Sequence, residues 1–185
     1  MKLTTESRKP QGPKDYFALA LTTFGVGYLP IAPGTWGSMV GIVIYLGASA
    51  LDGIWQHHWA PSHGYNAEEA QAFSIAIILA IFLVFTLLGV WASGRSTELF
   101  GNLDPSHAVV DEVIGQLIVF LFVPFGIGWP MILAGFLLFR LFDIWKPYPI
   151  DSLQMLPRGI GVCADDFLAG IYAGICLAVI YAVVI

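Results

Sequence analysis

Residues 71–94 run for 24 positions without a charged side chain and are built largely of Ile, Leu, Phe, Val and Ala. About 20 such residues cover the ~30 Å hydrocarbon core of a bilayer, so this stretch has the length and character of a spanning helix. In lipid every backbone polar group has to be satisfied within the protein, which leaves helices or closed barrels. The rest of the chain agrees. Of its 185 residues, 57% are apolar and 11% charged, against about 25% charged in ordinary soluble domains. That much apolar surface cannot be hidden inside one soluble domain of this size. A disordered chain is excluded by the same hydrophobicity. A nucleic-acid binder is excluded because the net charge is −5 and no basic face is present. The two cysteines, Cys163 and Cys176, lie thirteen residues apart on one apparent helix, about 20 Å along its axis, too far to bridge.

Further apolar runs occupy 16–29, 35–51, 113–139 and 167–185. The run 113–139 is interrupted by Pro124, Gly126, Gly128 and Pro130, and reads either as one long tilted helix or as two joined by a turn. Asp104-Pro105 has the form of an N-cap followed by proline at the first helical position. A helix from Pro105 to Pro124 would then span about 30 Å, followed by a second from Pro130 to Trp145. The cations arbitrate. All eight lie in residues 1–15, at Arg95, or at Arg140, Lys146 and Arg158; the loop 52–70 and the turn 125–129 have none. Positive charge stays on the cytoplasmic side, so residues 1–15, 95–104 and 140–160 are expected inside and 52–70 outside. This selects the two-helix reading. The expected architecture is an all-α, polytopic membrane helical bundle: a polar cytoplasmic tail over 1–15 and one membrane-embedded domain over 16–185. It has about five crossings plus a short re-entrant or interfacial helix at 16–29.

Charges beside apolar helices carry the chemistry. Asp111-Glu112 is expected about two turns into the third crossing, Asp143 at the cytoplasmic end of the fourth between Arg140 and Lys146, and Asp165-Asp166 at the opening of the last. All would share one membrane face. Charge near hydrocarbon costs a few kcal/mol, so such residues have a partner or a function. Five carboxylates against two cations leave a formal −3, and like charges at that density either take up protons or require cations. Oxygen ligands without a His or Cys framework suit Mg²⁺. Asp143 and Arg140 could equally be an ordinary i, i+3 pair.

At the start of the first crossing, Pro33-Gly34-Thr35-Trp36-Gly37-Ser38 offers backbone N–H groups and two hydroxyls to an anion. Gly37-x₃-Gly41 serves close helix packing at least as well, as do Ala169/Ala173 and Gly170/Gly174. Arg140 and Lys146 beside the acids suit phosphate oxygens held across a metal. His107, one turn before Asp111, could shuttle a proton. His57, His58 and His63 share the outer loop and read as solvated. No Cys-x₅-Arg loop or Ser-His-Asp pattern is present, which disfavours a covalent cysteine route. Intramembrane acids also build the relays of ion- or proton-coupled transporters, and a non-catalytic scaffold would show acids that are merely paired.

At these residues the chain resembles the phosphatidylglycerophosphatase A family. The matching blocks are Pro33-Gly34-Thr35-Trp36-Gly37-Ser38, Asp104-Pro105-x₅-Asp111-Glu112-x₂-Gly115, Phe139-Arg140-x₂-Asp143-x₂-Lys146-Pro147-x-Pro149-Ile150 and Gly161-x₃-Asp165-Asp166-x₂-Ala169-Gly170, in family order over about residues 17–175. Val162-Cys163-Ala164 departs from the Ile-Met-type pair expected there. The resemblance implies a Mg²⁺-dependent lipid phosphatase of the bacterial inner membrane, its active site facing the cytoplasm, hydrolysing phosphatidylglycerophosphate to phosphatidylglycerol and phosphate. It implies Mg²⁺ on Asp111, Glu112, Asp143, Asp165 and Asp166, one of them orienting or deprotonating the attacking water. Lys146 and Arg140 would take charge on the phosphoryl oxygens, and Gly34, Thr35, Gly37 and Ser38 would cradle the phosphate.

Overall fold

A computed structural model describes residues 7–101, 107–153, 156 and 158–184. Among these the protein is entirely helical: α1 (Pro13–Thr23), α2 (Pro33–Ile54), α3 (Ala60–Ser62), α4 (Ala67–Phe100), α5 (Val110–Phe120), α6 (Trp129–Trp145), α7 (Ile150–Leu153) and α8 (Arg158–Val184). A 3₁₀ turn, Val26–Tyr28, follows α1, and a π-helical turn, Trp55–Trp59, carries α2 into α3. The 34 residues of α4 start from a reciprocal cap: the Asn66 side chain accepts from the Glu69 N–H while the Glu69 carboxylate accepts from the Asn66 N–H, both at 2.9 Å. Two of the four orphan donors of the helix start are satisfied this way. Gly101 in the left-handed conformation (φ 67°) ends the helix.

Among the described residues, three helices are long and apolar enough to cross a membrane: Pro33–Ser62, Ala67–Phe100 and Gly159–Val184. This departs from the expected count of five. α6, with 17 residues, falls slightly short of the ~20 needed, and α5, with 11, falls well short. The run 113–139 is indeed two helices, but the first is not Pro105–Pro124. Residues 107–109 are not helical, because the Val109 N–H donates to the Thr22 carbonyl of α1 (2.9 Å) instead of to a helical partner. Asp104 and Pro105 lie outside the described residues. Asp111-Glu112 therefore sits in the first turn of α5, not two turns in. At the other end Val123 precedes Pro124, which disfavours helical dihedrals and supplies no N–H.

The last helix also starts earlier than expected, so Asp165-Asp166 lies two turns inside α8 rather than at its opening. Gly159 does not interrupt it. A Cβ there would lie 2.9 Å from the Gly94 Cα and would also strike the Val90 carbonyl, so glycine at this position answers to the close crossing of α4 and α8.

Residues 8–15 are tied to α4. Asp15, wholly buried, accepts from Arg8 Nη1 (2.6 Å), from the Gln11 N–H (2.7 Å) and from Arg95 Nε of α4 (2.5 Å). The Arg8 guanidinium above all, then the Gln11 amide and Arg95, hold the Asp15 carboxyl well below the usual carboxylate range. α5 is the hub of the bundle: it packs against α2 and α8, and α8 packs in turn against α4 and α6. Nine of its eleven residues are buried.

Candidate active site

Close backbone approach sets the site. A Cβ on Gly115 of α5 would enter the Phe139 ring and lie 2.7 Å from the Asp166 carbonyl of α8, and one on Gly170 would strike the Gly115 carbonyl. Only glycine lets the two helices touch here, and one turn away from this contact Asp111 of α5 meets Asp166 of α8. Carboxylate oxygens of Asp111, Glu112 and Asp166 lie within 4.8 Å of one another. α2 closes a third side. A Cβ on Gly34 would strike Glu112 Oε1 and sit 3.1 Å from Arg140 Nη1, so the Pro33–Ser38 turn lies directly against an acid and a cation of the cluster.

The five acids divide into two groups. Asp143 accepts from Arg140 Nη1 at 2.5 Å and stands 3.9 Å from Lys146 Nζ; Asp165 accepts from Lys146 Nζ at 2.5 Å. Lys146 reaches across because α6 stops there: it adopts φ 46°, ψ 56° while its N–H returns to the Phe142 carbonyl (2.8 Å). Left-handed backbone costs a non-glycine residue roughly 1–2 kcal/mol, and here it turns the cation toward α8. Asp111, Glu112 and Asp166 form no ion pair with a cation among the described residues. Asp111 and Asp166 are buried, at 9% and 4% exposure. Asp111 Oδ1 and Glu112 Oε2 are buried with no hydrogen-bond partner. Buried charge without a partner is costly, so these oxygens are suited to a cation. The donor set is all oxygen, close-set and acidic, which fits a hard divalent ion. The cluster could hold a metal on these three residues.

In the Pro33–Ser38 turn, the Thr35 and Trp36 N–H groups already donate to the Ala32 carbonyl at 2.9 and 3.4 Å. Ser38 is buried and its Oγ donates to the Gly34 carbonyl at 3.0 Å. Gly37 packs on Val109 and the Glu112 Cβ, and Gly41 on Gln116. Thr35 is half-buried at the edge of the cluster. His107 lies before α5 with its ring edge-on to Tyr28 and Phe100. In the segment 52–70, His57 and His58 are exposed, and His63 stacks flat on Trp59.

The family model of phosphatidylglycerophosphatase A matches residues 19–181, a span that includes every residue of the cluster. The chain belongs to the phosphatidylglycerophosphatase A family. It is therefore a phosphatase that hydrolyses a phosphate monoester. It is 36% identical over 155 residues to the phosphatidylglycerophosphatase A of Haemophilus influenzae, covering 81% of this chain and 79% of that one. The Escherichia coli phosphatidylglycerophosphatase A is 32% identical over 149 residues, 80% and 73% of the two chains. A Bacteroides thetaiotaomicron protein, provisionally named a phosphatidylinositol-3-phosphatase, is 35% identical over 159 residues, 85% and 89% of the two chains. No solved structure matches.

One polar residue of this phosphatase escaped the sequence reading. Gln116 is wholly buried against Gly41, and neither Nε2 nor Oε1 has a hydrogen-bond partner among the described residues. Its signal was there: i, i+4 from Glu112 puts the two on one helix face.

Proposed function

We propose that the protein is a Mg²⁺-dependent phosphatidylglycerophosphatase, releasing phosphate and phosphatidylglycerol at the cytoplasmic face of a bacterial inner membrane. The observation that carries this reading is three close carboxylates (Asp111, Glu112, Asp166) that form no ion pair among the described residues, set beside two cations, Arg140 and Lys146, on the same end of the bundle. A phosphate monoester needs both: a divalent ion for its charge and its nucleophile, and fixed positive groups for its oxygens.

In this proposal Asp111, Glu112 and Asp166 hold the metal, with Asp143 and Asp165 joining directly or through water. Bound Mg²⁺ would neutralise phosphoryl oxygens and make a coordinated water a better nucleophile at neutral pH. One carboxylate of the cluster orients the attacking water and takes its proton. Arg140 and Lys146, held in place by Asp143 and Asp165, face the charge that builds on the phosphoryl oxygens. The lack of a side chain at Gly34 lets Glu112 and Arg140 come up against the Gly34–Thr35 turn, and the phosphate would bind beside them. The resting ion pairs keep both cations oriented, so little reorganisation accompanies reaction.

The topology proposed with this site places 52–70 outside, with residues 1–15, 95–104 and 140–160 inside. α5 and α6 form a hairpin that opens and returns on the cytoplasmic side, and α1 lies along that interface. An impermeant thiol reagent on intact cells should label His58→Cys and leave Glu98→Cys unlabelled; the reverse pattern would put the site on the wrong face.

Purified protein, offered phosphatidylglycerophosphate, phosphatidate, phosphatidylinositol 3-phosphate and soluble glycerol phosphate with Mg²⁺ or with chelator, tests the activity. Phosphate release from phosphatidylglycerophosphate should be fastest, near zero with chelator, and poor for glycerol phosphate. Preference for the inositol lipid would move the reading toward the Bacteroides relative's name. Ion flux without phosphate release would favour a transporter.

A further inference from the structure

We propose that the groove between α2, α6 and the turn that follows α1 holds one acyl chain of the lipid whose phosphate is cleaved, which rests on the lipid-phosphatase reading above. The groove has a volume of about 810 Å³, inside the roughly 300–1,000 Å³ typical of sites for small ligands. It is walled by Phe24 behind α1, by Trp36, Met39 and Val43 of α2, and by Leu133 and Phe136 of α6, with no charged residue in its lining.

Its position identifies the occupant. The groove approaches the cluster along α6, where Leu133 and Phe136 lie two turns and one turn before Arg140 on the same helix face, and Arg140 Nη1 abuts Gly34 at the start of α2, with Trp36 beside it at the groove's near end. From there it follows α2 down to Leu46 and meets Trp129 at the far end of α6. That is ten residues of helix, about 15 Å, or half the hydrocarbon thickness. A lipid with its phosphate at the cluster has to send its tails away from the charged end, and this channel leads there. Trp36 stands at the mouth, its ring pinned by the Nε1 donation to the Ile31 carbonyl (3.1 Å). Indoles favour this boundary, apolar on one side and polar on the other. A second apolar cavity, between α2, α4 and α5, is smaller, about 220 Å³. It is lined by Tyr45, Phe120 and Phe125, a full three turns of α2 from Gly34, and does not reach the cluster.

Val43 is 67% exposed on the groove wall and Ile81 is 64% exposed beside the second cavity, so a larger side chain at either leaves the core unchanged. The experiment measures kcat and KM of wild type, Val43→Trp and Ile81→Trp in mixed micelles, on phosphatidylglycerophosphates whose acyl chains grow from four to sixteen carbons. Burying one methylene changes an equilibrium constant roughly fourfold. KM of the wild type should therefore fall as the chain lengthens, and Val43→Trp should abolish that fall for the longer chains, a loss of tenfold or more in kcat/KM. Its activity on the four-carbon lipid, and Ile81→Trp throughout, should match wild type. Independently of catalysis, a phosphatidate carrying a diazirine on its acyl chain should cross-link within 36–46 and 129–136 of the wild type and not of Val43→Trp. Chain-length curves for Val43→Trp that superimpose on wild type, equal losses in both variants, or protein–protein cross-links across α2 and α6 would overturn the proposal. A wild type that hydrolyses no lipid phosphate but still cross-links in the groove would reject the phosphatase reading and leave the lipid site standing.

Discussion

Two charged regions sit at the same end of the bundle and are built on opposite principles. Around Asp15, one carboxylate meets two guanidiniums, Arg8 and Arg95, and an amide, with Glu98 3.9 Å from Arg8 at the rim. Charge there is balanced and closed. At the α5–α8 crossing, five carboxylates share Arg140 and Lys146, and Asp111, Glu112 and Asp166 keep close company without a cation among the described residues. The first arrangement stabilises the fold by pairing, tying the N-terminal segment to α4. The second is held together against its own repulsion by helices that cross at Gly115 and Gly170. An excess of buried like charge is relieved either by protons or by a cation, and that is the arrangement the proposed metal site would use.

The comparison breaks most visibly at the crossing. Asp111→Asn and Asp166→Asn each remove a charged ligand while keeping shape. Phosphate release per folded molecule should fall by orders of magnitude, since a metal in this role supplies several kcal/mol of transition-state stabilisation. Tm without metal should hold or rise as like charge leaves, and the Mg²⁺-induced rise in Tm expected from linkage should vanish. Variants that keep wild-type turnover would end the metal-site reading. Next, Lys146→Met should lower turnover by about 10²–10³, as when one oxyanion donor is lost, and should also lower Tm because Asp165 loses its cation. A fall in Tm with unchanged turnover would move Lys146 from the chemistry to the scaffold.

Asp15→Asn should do the reverse: Tm falls by several degrees, because Arg8 and Arg95 lose their shared partner, while turnover per folded molecule stays at the wild-type level. The pH dependence has a definite sign. A folded-state pKa held below the unfolded one contributes stability that is fully present above about pH 4 and is lost as the pH drops toward the depressed value. Wild type should therefore lose Tm on acidification below that point, and Asp15→Asn should lose less of it. The smallest effect belongs to Glu98→Gln. Its carboxylate is half-exposed and 3.9 Å from Arg8, and solvated pairs of that kind contribute little; Tm should not move. A shift comparable to that of Asp15→Asn would mean the clamp is a network rather than a single buried pair.

Hydropathy was enough to read α4, whose apolar side chains are exposed over most of its length, and it was misled at α5, whose side chains face protein. Lipid exposure demands a long uncharged run that any window detects. A short helix enclosed by its neighbours carries no such requirement, so its start at Val110 followed from the Val109–Thr22 hydrogen bond, and no local signal in 105–110 announces a bond to a residue over eighty positions earlier. The same holds for Asp15, which reads as one more charge in a polar tail until Arg95 is brought beside it.

Composition and charge placement pointed to an all-helical chain with helices apolar enough to span a membrane and to a set of acids and cations, and the motif blocks pointed to the family, because each depends on residue type and short spacing. The division of those acids was settled by packing. Which oxygens pair with Arg140 and Lys146, and which stand close without a cation, depends on how near α2, α5, α6 and α8 approach. That distance is set by glycine contacts between helices far apart in the chain. Electrostatic energy varies with separation over a few ångströms, and separations between distant residues exist only once the helices are packed.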